Sequence, residues 1–315
     1  MAYILKKTGA LIATLLVISM LAFLAFQLIP GDPVTSILGT DYTPERAEEL
    51  RQAMGFNKPL PLRYISWLGG IFTGDLGSSY NYDMPVSQML SGKLSVTASL
   101  TGLSFVLIIL LSLPLGMFLA RYEGSVFDRV FTVINQVIMA IPQFFFGIVF
   151  TMFFGLMLSL FQPGSFVSYG ESPAGFWSYL FFPALAIALP KAAMVTKLLR
   201  SSMLSEMKKD YVRTAYSWGN SRGATLRRHV LRNAIIPVIT FLAYTLTDII
   251  VGSVIIEQIF AVPGVGRMLL SSIAGRDYPV VQVLVVFMAF IIVVVNYLTD
   301  LAYRFIDPRI QAEKV

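Results

Sequence analysis

The chain has 315 residues, of which 56% are hydrophobic and only 13% are charged. Soluble globular proteins carry about 25% charged residues, so the composition excludes that class and predicts an integral membrane protein. The net charge of +6 does not indicate nucleic-acid binding, because the sequence has neither zinc-finger spacing nor a basic patch interleaved with aromatic residues. With no cysteine and only one histidine, His229, we expect no disulfide and no metal site.

Six apolar windows with few or no charged residues are long enough to cross a membrane, which takes about 20 residues. They extend over Thr8–Gly31, Leu94 to Phe118 or Ala120, Val130 to about Phe161, Ser178–Leu199, Asn233–Ile256 and Tyr278–Leu301. Apolar residues do not alternate with a period of two in them, which favours helices over the strands of a membrane barrel. The sequence therefore predicts an all-α polytopic membrane protein with six transmembrane helices. Prolines that could kink these helices are Pro114, Pro142, Pro190 and Pro237.

The first window follows Lys6 and Lys7, so a cleaved secretory signal is an alternative to a membrane helix. The apolar region of a signal spans about 7–15 residues, whereas this window is longer and ends in Pro30-Gly31-Asp32-Pro33. We therefore expect a retained helix within residues 1–31. Lys and Arg residues are densest between the fourth and fifth windows, and the positive-inside rule then predicts that both termini, including the tail 302–315, are cytoplasmic.

The polar segment 32–93 is predicted to form a large extracytoplasmic loop. Thr43 as N-cap, Pro44 in the first turn and Gly55 after the last turn predict a capped helix. The stretch Leu60–Leu68, which contains Trp67, predicts an amphipathic segment at the membrane surface. A loop of this length with helices of its own is typical of a functional loop.

The predicted membrane core, residues 94–301, is interrupted by a basic cytoplasmic segment at residues 200–233. Its apolar residues recur every three or four positions, at Leu204, Met207, Tyr211, Ala215 and Trp218. This spacing predicts one helical face. Gly219 can adopt the left-handed conformation that ends a helix, and Ser221 can cap a second short helix that continues through Arg228. The spacing fits a compact docking knob and an ordinary basic loop equally well.

Two ionisable residues stand out because they lie away from the ends of the predicted membrane helices, Lys191 in the fourth and Asp248 in the fifth. A charge in hydrocarbon costs at least about 2.5 kcal/mol, so each needs an explanation. We predict that Asp248 lies on a translocation path, where it attracts the positive end of a cargo. The alternatives are an ion pair between helices or, for Lys191, a side chain that extends to the membrane interface.

Motifs for nucleotide binding and hydrolysis are missing. Gly92-Lys93 is not part of a P-loop, because Ser87 stands where that motif has its first glycine and Leu94 where it has Ser or Thr. The sequence also lacks Gly-x-Ser-x-Gly and His-Glu-x-x-His. We expect no catalytic residue on this chain, so any ATP that drives it must be hydrolysed by another chain.

Several motifs together resemble the inner-membrane permeases of the dipeptide, oligopeptide and nickel class of ABC importers, over nearly the whole length. They are Ile29-Pro30-Gly31-Asp32-Pro33, Met54-Gly55-Phe56-Asn57-Lys58-Pro59-Leu60, Gly74-Asp75-Leu76-Gly77, Asp210-Tyr211-Val212-Arg213-Thr214-Ala215, Leu231-Arg232-Asn233-Ala234-Ile235-Ile236-Pro237 and Glu257-Gln258-Ile259-Phe260-Ala261-Val262-Pro263-Gly264-Val265-Gly266-Arg267. Each motif alone would be a weak signal, whereas the set is specific.

The importer loop signature is Glu-Ala-Ala, three further residues and Gly. Arg213 and Thr214 replace its first two positions, while Ala215 and Gly219 match. The resemblance therefore implies an ATPase-coupling site that comprises Arg213, Thr214, Ala215, Trp218 and Gly219. We also expect an outer gate, or a contact with a binding protein, at Glu257, Pro263, Gly264 and Gly266.

The same resemblance implies the type I ABC importer fold in a bacterial or archaeal plasma membrane. It implies a heterodimer with a homologous second permease, two cytoplasmic ATPases that hold ATP and Mg, and an extracytoplasmic binding protein. This chain itself would carry no cofactor. Peptides rank first as cargo, and nickel or oligosaccharides are alternatives. A secondary transporter without an ATPase and a ligand-sensing scaffold are rival classes, although the sequence lacks the inverted repeats of many secondary transporters.

Overall fold

The computed structural model describes residues 2–28, 34, 38, 43–53 and 57–306. The helices of this part of the chain are α1 (Ala2–Leu28), α2 (Pro44–Ala53), α3 (Leu60–Thr73), α4 (Val86–Leu90), α5 (Lys93–Arg121), α6 (Val126–Ala140), α7 (Gln143–Phe150), α8 (Pro173–Met207), α9 (Asp210–Ser217), α10 (Arg222–Thr225), α11 (Leu231–Ala234), α12 (Ile236–Ile259), α13 (Val265–Ala274) and α14 (Tyr278–Ile306). The chain divides into two compact units, Met1–Leu94 with Met268–Tyr297 and Ser95–Arg267 with Leu298–Val315.

Five helices among the described residues are long and apolar enough to cross a membrane, and a bent pair of helices can provide a sixth span. The five straight spans, which lie in α1, α5, α8, α12 and α14, correspond to five of the predicted windows. The all-α membrane fold is confirmed. The long uncharged stretches lead to this fold, because a helix is the form in which a single segment satisfies all its backbone hydrogen bonds within lipid.

The third window is not one continuous helix, so that part of the prediction is wrong. Helix α6 begins at Val126 and ends at Ala140, and α7 follows it after a bend of 96°. Pro142 is the cause: it has no amide hydrogen to donate, and it forces the preceding Ile141 into an extended conformation with ψ 123°. The second arm ends in a π-helical turn at Met157, before the predicted end at Phe161.

The other three candidate prolines do not break their helices. Pro114 lies inside α5 and Pro190 inside α8, and both helices continue through them. Pro237 lies in the first turn of α12, where an amide would have no partner within the helix in any case. The presence of a proline therefore does not by itself predict a bend. The bend at Pro142 is distinguished by the extended conformation of the preceding residue, Ile141.

The N-terminal unit contains the two helices that were predicted for the outer loop. Helix α2 begins at Pro44, and the Arg46 amide donates to Thr43 Oγ1 at 3.3 Å, so the predicted cap is confirmed, while Gly55 lies outside the described residues. The predicted amphipathic stretch is part of the longer α3, which ends at Gly74 with φ 85°. Its Tyr64 hydroxyl lies 2.8 Å from Ser19 Oγ of α1.

A buried carboxylate, Asp277, anchors the segment that precedes α4. Ser79 Oγ donates to Asp277 Oδ2 at 2.5 Å, and the Tyr80 amide donates to Oδ1 at 3.0 Å. Asn81 Nδ2 donates to the Gly275 carbonyl at 2.9 Å. Burial raises the pKa of the Tyr80 phenol to about 12, against a smaller opposite effect of Arg63. These contacts explain why Met268–Tyr297 belongs to the same compact unit as the N-terminal segment.

In the second unit, α8 is the central helix of the apolar core. Gly116 of α5 lies so close to it that a Cβ there would come within 2.9 Å of Leu199 Cδ2. Asp128 of α6, which is buried, accepts two hydrogen bonds of 2.7 Å from Arg200 of α8, one from Nε and one from Nη2. Asn135 Nδ2, further along α6, donates to the Ala193 carbonyl at 2.7 Å. These polar contacts fix the register of α6 against α8.

The first prediction tests the buried ion pair. Asp128→Ala leaves the Arg200 guanidinium without its bidentate partner in a partly buried position, so we expect a loss of about 3–5 kcal/mol of stability. The measurement is thermal or denaturant-induced unfolding of the purified protein in detergent. Removing both charges, with Asp128→Leu and Arg200→Met, should restore most of the loss.

The matched control is Asp210→Ala, because Asp210 pairs with Arg213 at 3.5 Å while both side chains are largely exposed. Exposed pairs contribute little, so its unfolding should stay close to that of the unchanged protein. Equal effects of Asp128→Ala and Asp210→Ala would show that the buried pair does not hold α6 against α8.

Candidate functional site

The predicted coupling segment, residues 200–233, forms a sharp corner at residues 208–221, after the end of the membrane helix α8. Helix α8 ends at Met207, and α9 begins only at Asp210, because Lys209 is extended with ψ 151°. The prediction of one apolar face from Leu204 to Trp218 is therefore wrong, since these residues belong to two helices with different axes. The spacing of the apolar residues could not reveal the break of two residues between α8 and α9.

Burial separates the predicted coupling residues into two groups. Ala215 is only 4% exposed and packs inside its own chain, together with Val212. Trp218 is 81% exposed, and the side chains of Arg213 and Thr214 are exposed as well. Ala215 is thus an internal contact of α9, and Trp218 provides the largest apolar surface of the segment.

Two side-chain contacts attach the start of α9 to the end of α8. Tyr211 Oη donates to Glu206 Oε2 at 2.8 Å, and Lys209 Nζ lies 2.5 Å from Glu206 Oε1. Burial, with a further contribution from Glu206, raises the pKa of the Tyr211 phenol. The phenol therefore stays protonated and keeps its donor at neutral pH.

The corner itself closes as the sequence predicts. Gly219 has φ 84°, and its amide donates to the Tyr216 carbonyl at 2.9 Å. Asn220 Nδ2 donates to the Ala215 carbonyl at 3.0 Å, and Ser221 Oγ accepts from the Ala224 amide at 3.4 Å. The left-handed glycine and the serine cap are confirmed. The predicted second helix through Arg228 is instead the short α10, which continues as a π-helical turn over Leu226–Val230.

The two predicted intramembrane charges form an ion pair between α8 and α12. Lys191 Nζ lies 2.7 Å from Asp248 Oδ2, and the side chain of Asp248 is 62% exposed while that of Lys191 is 19% exposed. This ion pair between helices is the alternative that was open beside the translocation path. Its place on a translocation path stays a prediction, which its exposure allows.

Glu257, near the end of α12, is fully buried and organises the loop that follows. Thr97 Oγ1 of α5 donates to Glu257 Oε1 at 2.7 Å, and the Arg267 amide donates to Oε2 at 3.1 Å. The Val265 amide in turn donates to Thr97 Oγ1 at 2.9 Å. Residues 257–267, here the Glu257 loop, are therefore folded around one carboxylate.

Glycines are required in this loop because the chain approaches the carboxylate closely. A Cβ on Gly264 would overlap the Glu257 carboxylate, and a Cβ on Gly266 would lie 2.5 Å from Val254 Cα. Tyr179 Oη also donates a hydrogen bond to the Phe260 carbonyl. Space, and not backbone flexibility, thus explains these two glycines.

Burial describes how the predicted outer-gate residues lie in the loop, and their role at a gate stays a prediction. Glu257, Gly264 and Gly266 are buried, and Pro263 is half-buried, so the first three shape the loop from inside and present no side chain to a partner. Neither Thr97 nor Tyr179, which donate hydrogen bonds to this loop, was predicted from the sequence. No spacing rule could have found Thr97, which is separated from Glu257 by 160 positions.

Metal binding finds no support in the part of the chain that the structure describes. Those residues include no group of three or more His, Asp or Glu side chains that could hold a metal ion. The coupling corner, the ion pair and the Glu257 loop offer instead apolar surface, hydrogen bonds and single charges. Such groups suit contacts with a partner protein or a cargo.

Comparison with family models shows which proteins share this sequence pattern. Residues 112–312 match the model described as "Binding-protein-dependent transport system inner membrane component". Residues 1–101 match its N-terminal counterpart, "Binding-prot-dependent transport system membrane comp, N-term". Together the two models cover nearly the whole chain, including the coupling segment and the Glu257 loop.

Curated relatives match over their full length. The chain is 37% identical over 310 residues to a protein of Brucella abortus (strain 2308) that is named as a peptide transport system permease, with 98% of this chain and 99% of the relative covered. It is 34% identical over 313 residues to the oligopeptide transport system permease protein AppB of Bacillus subtilis, with the same coverage of 98% and 99%. It is 31% identical over 310 residues to the dipeptide transport system permease protein DppB of Lactococcus lactis subsp. cremoris, again with 98% and 99% covered.

Two solved structures share the fold. One is a chain of the MetNI methionine ABC transporter in inward-facing conformations, with a TM-score of 0.57 and 15% identity over 70% of this chain and 97% of that chain. The other is a chain of an amino acid ABC transporter crystallised with histidines, with a TM-score of 0.52 and 17% identity over 69% of this chain and 94% of that chain. At these identities the likeness concerns the fold alone.

The second prediction concerns the Glu257 loop. Gly264→Ala places a methyl group where the carboxylate lies, so we expect a loss of about 2 kcal/mol or more in the free energy of unfolding. Gly102→Ala in α5 is the matched control, since a Cβ there meets nothing within 4 Å, and alanine favours a helix over glycine. A Gly264→Ala protein as stable as the Gly102→Ala protein would show that the loop is not packed around Glu257.

The third prediction concerns the Lys191–Asp248 pair. Asp248→Asn leaves the more buried Lys191 ammonium without its counter-charge, so we expect a loss of about 1–3 kcal/mol of stability. Replacing both residues, with Lys191→Met and Asp248→Asn, should restore stability in the same unfolding assay. If Asp248→Asn alone is fully stable yet changes the uptake of cationic cargo, the carboxylate serves the translocation path and not the pair.

Proposed function

Because the chain belongs to the family of binding-protein-dependent transport system inner membrane components, we propose that its cargo is a peptide. Family membership itself makes the chain a multi-pass inner-membrane permease subunit of an ABC importer, which associates with ATPase and binding-protein partners. Three relatives named above as peptide, oligopeptide and dipeptide permeases, each matched over 98% of this chain, support the peptide cargo.

The coupling corner is the observation that carries the proposed mechanism. Trp218 follows the last residue of α9 and has 81% of its surface exposed, and Arg213 of α9 is exposed as well. Tryptophan and arginine are the residue types that contribute most to protein interfaces. We assign this surface to the contact with a cytoplasmic ATPase, which would hold ATP and Mg, while this chain carries no cofactor.

Force on this corner has a short route into the membrane helices. Glu206 connects α8 to α9 through Lys209 and Tyr211, and Ser202 Oγ of α8 donates to the Ala234 carbonyl at 2.9 Å. Arg200, two residues further into α8, holds Asp128 of α6. Closure of the ATPases would therefore move α8 and α6 as one body, as in rigid-body transitions between inward- and outward-facing states.

On the other side of the membrane, we propose that the Glu257 loop belongs to the outer gate. This assignment depends on an orientation in which both termini are cytoplasmic. The basic residues of segment 200–233 support that orientation. A homologous second permease would complete the path as a heterodimer. Asp248, which is more exposed than its partner Lys191, offers a carboxylate to the amino terminus of a peptide.

The fourth prediction tests coupling and cargo in one system, the complete importer reconstituted in liposomes with its binding protein. Trp218→Ala should weaken ATPase attachment about thirtyfold, because an interface tryptophan contributes about 2 kcal/mol or more. Substrate-stimulated ATP hydrolysis and uptake of a labelled peptide should fall together. Tyr169→Ala is the matched control, since Tyr169 is a 58% exposed aromatic residue outside the coupling segment.

Each alternative function predicts a different outcome of the same assay. Uptake of nickel or an oligosaccharide with no peptide uptake would contradict the peptide cargo and leave the importer mechanism in place. Peptide uptake that continues without ATP would indicate a secondary transporter. Normal coupling in the Trp218→Ala importer would remove the corner from the ATPase contact.

A further inference from the structure

A cavity of about 280 Å³ lies between the end of α5 and the chain that follows the coupling corner. Its lining includes the two cations Arg121 and Arg227 and apolar side chains of both sides, among them Met117, Phe118 and Leu226. Neither the coupling contact nor the Lys191–Asp248 pair uses this cavity. Its mixture of positive charge and apolar wall is typical of a site for an anionic amphiphile.

The two guanidiniums that line the cavity are available to an anion. Arg121 is the last residue of α5, and its guanidinium carbon lies 5.4 Å from the centre of the Tyr122 ring. Arg227 is exposed and lies in the π-helical turn after α10. The ion pairs seen among the described residues, which include the Arg51, Lys191, Arg200, Lys209 and Arg213 pairs, involve neither.

A glycine keeps the second wall of the cavity close to the first cation. A Cβ on Gly223 of α10 would lie 3.7 Å from Arg121 Nη1, so the α10 backbone passes directly beside this guanidinium. A larger residue there would fill the space between α5 and α10. The cavity therefore depends on the small residue as well as on the two cations.

The position of the cavity indicates the source of the anion. Arg121 ends a membrane-spanning helix, and Met117 and Phe118 belong to the same helix one turn earlier, so the cavity opens where headgroups meet acyl chains. Its volume lies near the lower limit of small-molecule sites, about 300 Å³, which suits a headgroup but not a whole phospholipid. In the proposed orientation this is the cytoplasmic side, whose leaflet is rich in anionic lipid.

We infer that this cavity binds the phosphate headgroup of an anionic phospholipid from the cytoplasmic leaflet. The planar guanidinium matches two phosphate oxygens at once, and the first methylenes of the lipid would lie against Met117 and Phe118. The headgroup would bridge Arg121 of α5 and Arg227 of the turn after the coupling corner. Anionic lipid would thereby brace the coupling segment against a membrane helix. The inference rests on the proposed orientation of the importer.

The test compares two pairs of substitutions in the complete importer, held in nanodiscs of phosphatidylglycerol and phosphatidylcholine. Arg121→Gln with Arg227→Gln removes both cavity cations, and Arg222→Gln with Arg228→Gln removes the same charge from exposed positions of the same cytoplasmic segment. Phosphatidylglycerol retained after detergent extraction is counted by native mass spectrometry. A lipid-facing cation strengthens lipid binding about fivefold. We therefore expect the retained phosphatidylglycerol to fall about thirtyfold in the variant without the two cavity cations, and less than about fivefold in the control variant.

Four outcomes would overturn the inference. If both variants lose the same amount of lipid, the lipid binds a diffuse positive surface and not the cavity. If the cavity variant retains its lipid but loses the ATPase subunits, the cavity is an ATPase contact. Displacement of the lipid by soluble glycerol 3-phosphate as readily as by phosphatidylglycerol vesicles would indicate a free phosphate ligand. If the glutamine variant fails to assemble, Arg121→Lys with Arg227→Lys keeps the charge and loses the planar fork, and undiminished lipid retention there would contradict the phosphate geometry. Because lipid counting needs no transport, it is independent of the peptide-uptake assay.

Discussion

Buried carboxylates are the constraint on which the described structure depends. An ionised carboxylate among apolar helices is stable only if nearby donors replace water. Glu257 and Asp128 in one unit, and Asp277 in the other, each receive donors from residues far away in the sequence. Every such carboxylate therefore fixes two distant segments at one point. The apolar helices provide the bulk of the fold, and these few charges select which helix faces meet.

At the coupling corner, the residues that hold the structure together are different from the residues that are exposed to a partner. Ala215 and Val212 bury the inner face of α9, which leaves Trp218 exposed at the corner that Gly219 closes with φ 84°. The surface that we propose for the ATPase contact is thus small. Its coupling role would require the corner to keep its shape, because a flexible corner would absorb the movement of an ATPase instead of passing it to α8.

Local chemistry was predictable from the sequence, and long-range pairing was not. The lengths of the apolar windows predict the spanning helices, and residues such as Thr43, Gly219 and Ser221 act through their immediate neighbours, so their roles follow from the sequence around them. The contact between Thr97 and Glu257 has no local signature. The break before α9 is also hidden, because an apolar period of three or four continues across it although the two helix axes differ. The 96° bend depends on the extended conformation of Ile141, whereas prolines inside α5 and α8 cause no such break.

In the Glu257 loop the glycines have a physical role that differs from the one a gate would suggest. Gly264 and Gly266 resemble the flexible elements of a gate, yet both are glycines because a carboxylate or a backbone atom occupies the space of their Cβ. Opening this loop on its own would break the hydrogen bonds that Thr97 and the Arg267 amide donate to Glu257, which is costly for any of these groups that stays buried without a partner. If the loop takes part in gating, it must therefore move together with α12 and the start of α5. The gate would then open by displacement of packed helices and not by unfolding of a loop.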